Sequence, residues 1–288
     1  MHFNFVPGMQ GLIMYRSPPT CSEKRKPLGR RYPTYPDKLP TAKKYALDDI
    51  SRVGELKPLK VKSVPRLWDL VKATKLTLET EPDIYPMTLA VGPVTVVGNI
   101  RGVKDLLVDF YDDPESCEKL LTIVTETTLD LIEELAAVGA RYIYIADPVA
   151  SLMSPDFYQD QALPFHKQIY AKMEELGICG RLHMCGNTER ILPYSSSSGA
   201  KIVDIDHAVD YEKAVSLVEG RCILNGNIDP VADVFSCDAG HTYQAVCNLG
   251  RQINRSDCTF MQGCELPTKT NLENLKAIGR ALEDLGEA

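Results

Sequence analysis

From about residue 85 to residue 285, short apolar runs alternate with longer amphipathic segments, and this rhythm limits the fold more than any other feature. Strands are predicted at Met87–Val91, Tyr142–Ala146, through His183 and Cys185, at Ile202–Asp206, Cys222–Gly226 and Cys258–Gln262. Between them the apolar spacing turns helical. Glu115–Val138 puts Leu120, Leu121, Val124, Thr128, Leu131, Ile132 and Leu135 on one side. Asp113-Pro114 supplies a cap and a first-turn proline, and Gly139 a stop. Further helices are predicted at Pro65–Leu78, Phe157–Leu176 (broken near Pro164), Thr188–Tyr194, Tyr211–Val218, Tyr243–Ile253 and Asn271–Leu285. Thr270 and Glu273 form a capping-box pattern for the last, and Leu275, Ile278, Leu282 and Leu285 its apolar stripe.

Apolar strands that alternate with helices pair in parallel, with the helices outside. Six such strands are clear, and one or two more are expected within residues 1–60, for example at His2–Val6. That count points to a (β/α)8 TIM barrel, α/β in class, rather than an open doubly wound sheet. No Gly-x-Gly-x-x-Gly turn supports a dinucleotide-binding version of the open sheet. The chain divides into an irregular, proline-punctuated N-terminal segment of the barrel (1–60) and a barrel catalytic body (61–288).

Composition narrows the functional classes. A net charge of −7 argues against non-specific nucleic-acid binding, and no apolar run reaches membrane-spanning length. The N-terminus lacks the order of a signal peptide, and nine cysteines make an odd number for a disulfide framework. Both features predict a reducing cytoplasm. Cys117, Cys179, Cys222, Cys237, Cys247 and Cys258 read as packing residues, and Cys21 is unassigned.

Barrel chemistry sits at the C-terminal ends of the strands, where polar residues cluster in this chain. Side chains at i and i+2 of a strand share a face, so His183 and Cys185 would project side by side, with Leu182 and Met184 opposite. An imidazole and a thiolate suit a borderline metal, zinc first, and Cys264 at another strand end supplies a third ligand. Three ligands with an open fourth position is the pattern of a catalytic zinc. The competing reading is a core histidine and two buried thiols. Asp206, beside His207, reads equally as a zinc partner or as a helix cap. Asp147 and Asn227 are candidates for positioning substrate, although capping the following helices explains them nearly as well. Asn187 and Thr188 read as caps, and Ser195–Ser198 as a loop. Tyr142, Tyr144, Met153 and Phe157 read either as lining for a large planar ligand or as plain core.

Several pieces fall in one family order: Gly92-Pro93, Asp109-Phe110-Tyr111-Asp112-Asp113-Pro114, Leu182-His183-Met184-Cys185-Gly186-Asn187-Thr188, Gly199-Ala200 before Asp204-Ile205-Asp206, Gly226-Asn227-Ile228-Asp229-Pro230, and Gly263-Cys264-Glu265-Leu266-Pro267. With them the sequence resembles the uroporphyrinogen decarboxylase superfamily, and within it the zinc-dependent corrinoid methyltransferases of the methylcobamide:coenzyme M type. The resemblance implies one zinc on His183, Cys185 and Cys264, with an acidic residue near Asp206 completing the shell when substrate is absent. It implies methyl transfer, in either direction, between a methylcorrinoid co-substrate carried by a corrinoid protein and a thiol or other small acceptor or donor. The front of the chain departs from the pattern: it is shorter than in typical members, which implies that the first barrel strand and its helices are rebuilt or missing. The decarboxylases' Arg-Gln-Ala-Gly-Arg signature has only a faint echo in Leu28-Gly29-Arg30-Arg31-Tyr32. A tetrapyrrole decarboxylase is therefore the alternative.

Overall fold

The structure is a computed structural model that describes residues 45–286, except 82, 84 and 254–257. The strand expected at His2–Val6, Cys21 and the segment Leu28–Tyr32 lie outside the described residues. A 3-10 turn at Ile50–Glu55 leads into helix α1 (Pro65–Thr80), and strand β1 (Thr88–Val91) follows. Helices α2 (Pro93–Arg101), α3 (Val103–Asp112) and α4 (Pro114–Ala137) come next, then β2 (Tyr142–Ala146). A short α5 (Pro155–Phe157), a π-helical turn at Tyr158–Ala162 and α6 (Leu163–Glu175) lead to β3 (Cys179–His183). The remainder runs α7 (Leu192–Ser195), β4 (Ile202–Asp204), α8 (Tyr211–Val218), β5 (Ile223–Ile228), a π-helical turn at Pro230–Phe235, α9 (Ala239–Gln252), β6 (Cys258–Gln262) and α10 (Leu272–Gly286).

Among the described residues, six strands pair in parallel and stand in chain order, β1-β2-β3-β4-β5-β6. A doubly wound sheet reverses its order at a switch point, whereas this sheet never does, which is the winding of a (β/α) barrel. Alternation along each strand separates two faces. Ile143, Ile145, Leu182, Val203 and Leu224 join one large core with Leu120, Leu121, Ile132 and Leu135 of α4. Leu89, Tyr144 and Ala146 form a separate small cluster on the inner face. The helices therefore cover the outer face, and the inner face is the barrel lumen.

Helix α4 forms as its sequence predicts. Asp113 accepts a hydrogen bond from the Ser116 amide at its start, all seven predicted apolar-side residues are buried, and Gly139 turns the chain with φ 99°. Burial of each large aliphatic residue on that side contributes about 1.5–3 kcal/mol. At α10 the local expectation fails. The Thr270 hydroxyl bonds the Pro267 carbonyl instead, and Asn271 Oδ1 caps the Glu273 amide. Its buried residues are Asn274, Ala277 and Ala281, with Leu275, Ile278 and Leu285 half-buried and Leu282 exposed. Small residues face inward because α10 packs closely on α9, so the stripe is rotated from its predicted position. The helix expected at Thr188–Tyr194 shifts to Leu192–Ser195. Among the described residues no helix is long and apolar enough to cross a membrane.

Asp147, just beyond β2, continues the strand's alternation and faces the helices. It is fully buried and accepts from the amides of Val94 (3.1 Å) and Thr95 (2.7 Å), the Thr95 hydroxyl (2.6 Å) and His166 Nε2 (3.0 Å). The other ring nitrogen, His166 Nδ1, accepts from the Tyr158 hydroxyl at 2.8 Å. Asp147 thus caps α2, an earlier helix in the chain rather than the one after it. A Cβ at Gly92 would sit 2.3 Å from Asp147 Cβ, so only glycine lets the carboxylate come this close. Asp147→Ala is expected to leave these buried donors unpaired and to cost about 3 kcal/mol, since each orphaned group costs roughly 1–3 kcal/mol. Urea unfolding monitored by circular dichroism measures it, with Asp147→Asn expected to lose less.

Candidate metal centre

Two strand ends and two loops bring the sulfur and nitrogen donors together. His183 ends β3 with its ring buried in the lumen. Cys185 lies past the strand, so strand alternation does not hold it beside His183 as the sequence suggested. The turn does: Gly186, at φ 79°, donates its amide to Asp206 Oδ2 at 2.8 Å. Cys264 follows β6, where the Gly263 amide donates to the Ile228 carbonyl at 2.7 Å. A Cβ at Gly263 would stand 2.3 Å from the His207 amide nitrogen, so the two loops touch through bare backbone.

His183 Nε2 lies 3.2 Å from Cys185 Sγ, which lies 3.4 Å from Cys264 Sγ, and all three ligand atoms fall within 4.8 Å of one another. Among the described residues this is the cluster of three metal-ligating side chains. Two sulfurs on a tetrahedral zinc stand about 3.7 Å apart, a few tenths of an ångström more than the Cys185–Cys264 separation. Two thiolates and a neutral imidazole also balance a divalent charge, which makes the donor chemistry right for zinc.

The same proximity sets the acid–base behaviour of the three groups. Burial pulls the His183 pKa down, but the Asp204 and Cys264 partners outweigh it and hold it up at about 9. Hydrogen bonds from Cys185 and then His183 draw Cys264 down to about 4. Cys185, beside that thiolate and partly buried, is pushed up. The two thiols therefore titrate as one coupled pair, in which the surroundings favour the thiolate at Cys264.

Behind His183 stands Asp204, a buried carboxylate on β4 that the sequence reading noted without giving it a role. Oδ2 accepts from His183 Nδ1 at 3.0 Å and Arg181 Nη2 at 2.9 Å, while Oδ1 accepts from Arg181 Nε and Asn225 Nδ2, both at 2.7 Å. Two signals could have revealed it. An aspartate within Ile202-Val203-Asp204-Ile205 is a buried charge in need of partners. Arg181 sits two residues before His183 and so shares its face.

Asp206, read from the sequence as a zinc partner or a helix cap, and Asp147 and Asn227, read as positioning substrate or capping helices, take different places. Asp206 is buried outside the ligand cluster, with Oδ2 on Gly186 N and Oδ1 on Ala208 N (3.2 Å) and His207 Nδ1 (2.7 Å). It ties the Cys185 turn to the end of β4. Asn227 Nδ2 donates to the carbonyls of Asp206 (3.2 Å) and Val209 (2.7 Å), which braces the same loop. Asp147 faces the helix layer, away from the ligand atoms. Tyr142 and Tyr144 gather around Arg181 in the lumen, whereas Met153 and Phe157 pack into the outer core. A cavity of about 420 Å³ lined by Asn227, Asp233, His241 and Asn248 lies beside α9 and includes none of the three ligands.

With this geometry in place, the chain is identified by its family. It belongs to the uroporphyrinogen decarboxylase (URO-D) family, whose model matches residues 25–285. A methylcobamide:CoM methyltransferase of Methanosarcina mazei is 28% identical over 200 residues, 68% of this chain and 58% of that protein. A uroporphyrinogen decarboxylase of Thermobifida fusca is 26% identical over 188 residues, 63% of this chain and 51% of that one. The chain thus spans little more than half the length of these curated relatives. In fold it is similar to a methyltransferase from Methanosarcina mazei, with a TM-score of 0.75 at 21% identity, covering 90% of this chain and 76% of the other.

The coupled thiol pair can be tested on chelator-treated, reduced protein. Iodoacetamide at pH 6 is expected to label Cys264 first, because its thiolate persists down to about pH 4. Cys117 and Cys222, which burial pushes up to about 12, are expected to react last. Peptide mass mapping reads the order. His183→Ala removes a hydrogen-bond partner of the thiolate, so the half-maximal pH for Cys264 is expected to move up toward the ordinary thiol value of about 8.5.

Proposed function

We propose that this chain is a zinc-dependent methyltransferase that moves a methyl group between a corrinoid and a thiol or other small acceptor or donor. The observation that carries the reading is the convergence of His183 Nε2, Cys185 Sγ and Cys264 Sγ within 4.8 Å at the ends of β3 and β6. Family membership and the methylcobamide:CoM methyltransferase relatives give that centre its chemical context.

His183, Cys185 and Cys264 would hold the ion, which supplies a site where a thiol loses its proton and binds as thiolate at neutral pH. The chain's own groups set how reactive that sulfur stays. Two cysteine thiolates donate enough charge to leave the centre close to neutral, so the substrate sulfur keeps its nucleophilicity. Asp204 takes the Nδ1 hydrogen of His183, which leaves Nε2 as the donor atom on the cysteine side. Asp206, through Gly186, holds the Cys185 turn in place. Tyr144 packs against the His183 ring at a centroid distance of 5.7 Å and, with Arg181, fills the lumen next to the ligands. Substrate would therefore approach from the rim, where a corrinoid protein would dock. Asp206 and Asn227 in the rim wall are candidates to contact it. The transfer moves one methyl cation equivalent between corrinoid and sulfur, and the same donor set serves either direction.

Metal analysis joined to a methylcobalamin demethylation assay with a panel of thiols tests this reading. Wild-type chain is expected to hold one zinc and to lose its rate on chelation. His183→Ala and Cys264→Ser are expected to fall below one zinc per chain and to lose more rate than the roughly 10–100-fold that follows loss of a partner behind a ligand. Equal zinc and equal rates in wild type and His183→Ala would sink the proposal. A tetrapyrrole decarboxylation that survives chelation would instead support the alternative suggested by the decarboxylase relatives.

A further inference from the structure

The barrel lumen carries a fixed charge pair for which packing alone gives no reason. In barrels of this class the interior layers are filled mainly by branched apolar side chains. Here the parallel register places His183 opposite Asp204, Asp204 opposite Asn225, and Asn225 opposite Thr259. These four side chains form a continuous hydrogen-bonded row. Thr259 Oγ1 donates to Asn225 Oδ1 at 2.7 Å, Asn225 Nδ2 donates to Asp204 Oδ1, and His183 donates to Asp204 Oδ2. Arg181, two residues before His183, grips both oxygens of Asp204 through Nε and Nη2.

A buried arginine–carboxylate pair is weak as a stability device, because desolvation offsets most of its attraction and an apolar layer would serve as well. The surroundings hold the arginine rigidly all the same. Its guanidinium lies 4.8 Å from the centroid of the Tyr144 ring, and Nη1 donates to the Tyr142 hydroxyl at 3.3 Å. Nη2 also contacts the Met261 sulfur, and the side chain is only 11% exposed. With Asn225 on the other flank, Asp204 accepts four hydrogen bonds and has no freedom to rotate. One of its lone pairs is permanently aimed at His183 Nδ1.

We propose that Arg181 is a positioning residue of the metal centre: its two-point grip on Asp204, helped by Asn225, locks the His183 ring so that Nε2 faces Cys185 and Cys264. The inference rests on the zinc reading above and adds to it a residue outside the three candidate ligands that acts through Asp204. A bidentate fork is required for this task. A lysine at 181 would offer a single point charge and could not fix the carboxylate plane.

The test is zinc affinity, measured on purified chain by competition with a chromogenic chelator, together with the absorption of the Co²⁺-substituted protein. Arg181→Met is expected to raise the zinc Kd about 10–100-fold and to shift the cobalt bands, while Arg181→Lys recovers only part of the loss. Asn225→Ala is expected to move the Kd in the same direction by less, and it serves as the readout if Arg181→Met does not fold. Melting temperature is followed in parallel, since a merely structural role would lower it without changing Kd or the cobalt spectrum. Wild-type zinc binding with unchanged Kd and spectrum in folded Arg181→Met, or in Asn225→Ala where the former does not fold, overturns this inference alone. A wild-type chain that holds no zinc overturns the functional reading and this inference with it.

Discussion

The parallel register running from β3 to β6 is the constraint on which the site depends. It sets His183, Asp204, Asn225 and Thr259 in one row facing the lumen and sends Leu182, Val203 and Leu224 to the helices. A slip of one residue at β3 would exchange the faces, burying an imidazole among aliphatic side chains and pointing Leu182 at the cysteines. Both faces specify the register, one by apolar packing and the other by a connected row of hydrogen bonds. The helices contribute indirectly, by making the outer face so apolar that the polar row has only the lumen to occupy.

Asp147 and Asp204 show how strand parity decides the use of a residue. Both are buried carboxylates at C-terminal strand ends, and both accept four hydrogen bonds. Asp147 follows the lumen-facing Ala146, so it turns outward and secures the start of α2 with His166 and Thr95. Asp204 turns inward and meets a histidine that ends among thiols. One ties the barrel wall to its helices, and the other orients the candidate metal ligand. Residue type and position along the strand do not separate these roles; the face does.

The cysteines are held differently, by loops rather than by strands. Gly263 lets the β6 loop meet the Asp206-His207 backbone at a distance no side chain would allow, and Gly186, through a positive φ that favours glycine, turns the β3 loop so that its amide reaches the Asp206 carboxylate. Relatives of this chain include both decarboxylases and methyltransferases, so the fold alone does not decide the reaction. Sulfur in this chain reaches the position beside the histidine through two glycine-permitted contacts and one aspartate.

Much of this was legible along the chain. The alternation of apolar runs and amphipathic segments determined parallel strands inside helices, because burial on both faces leaves a strand no polar side to show. That His183, Cys185 and Cys264 form the candidate cluster was also legible, since few residue types bind a borderline metal and these three stood at strand ends. Local signals failed where a partner distant in sequence decided the outcome. Asn271 rather than Thr270 caps α10, and α9 rotated the α10 stripe. Asp147 reached back to an earlier helix, and Cys185 took its place from a turn pinned by Asp206. Tertiary structure alone joined Arg181, Asp204, Asn225 and Thr259 into one row, because those bonds cross four strands and follow from register. Composition and spacing say which groups must be buried; only the folded sheet says which of them meet.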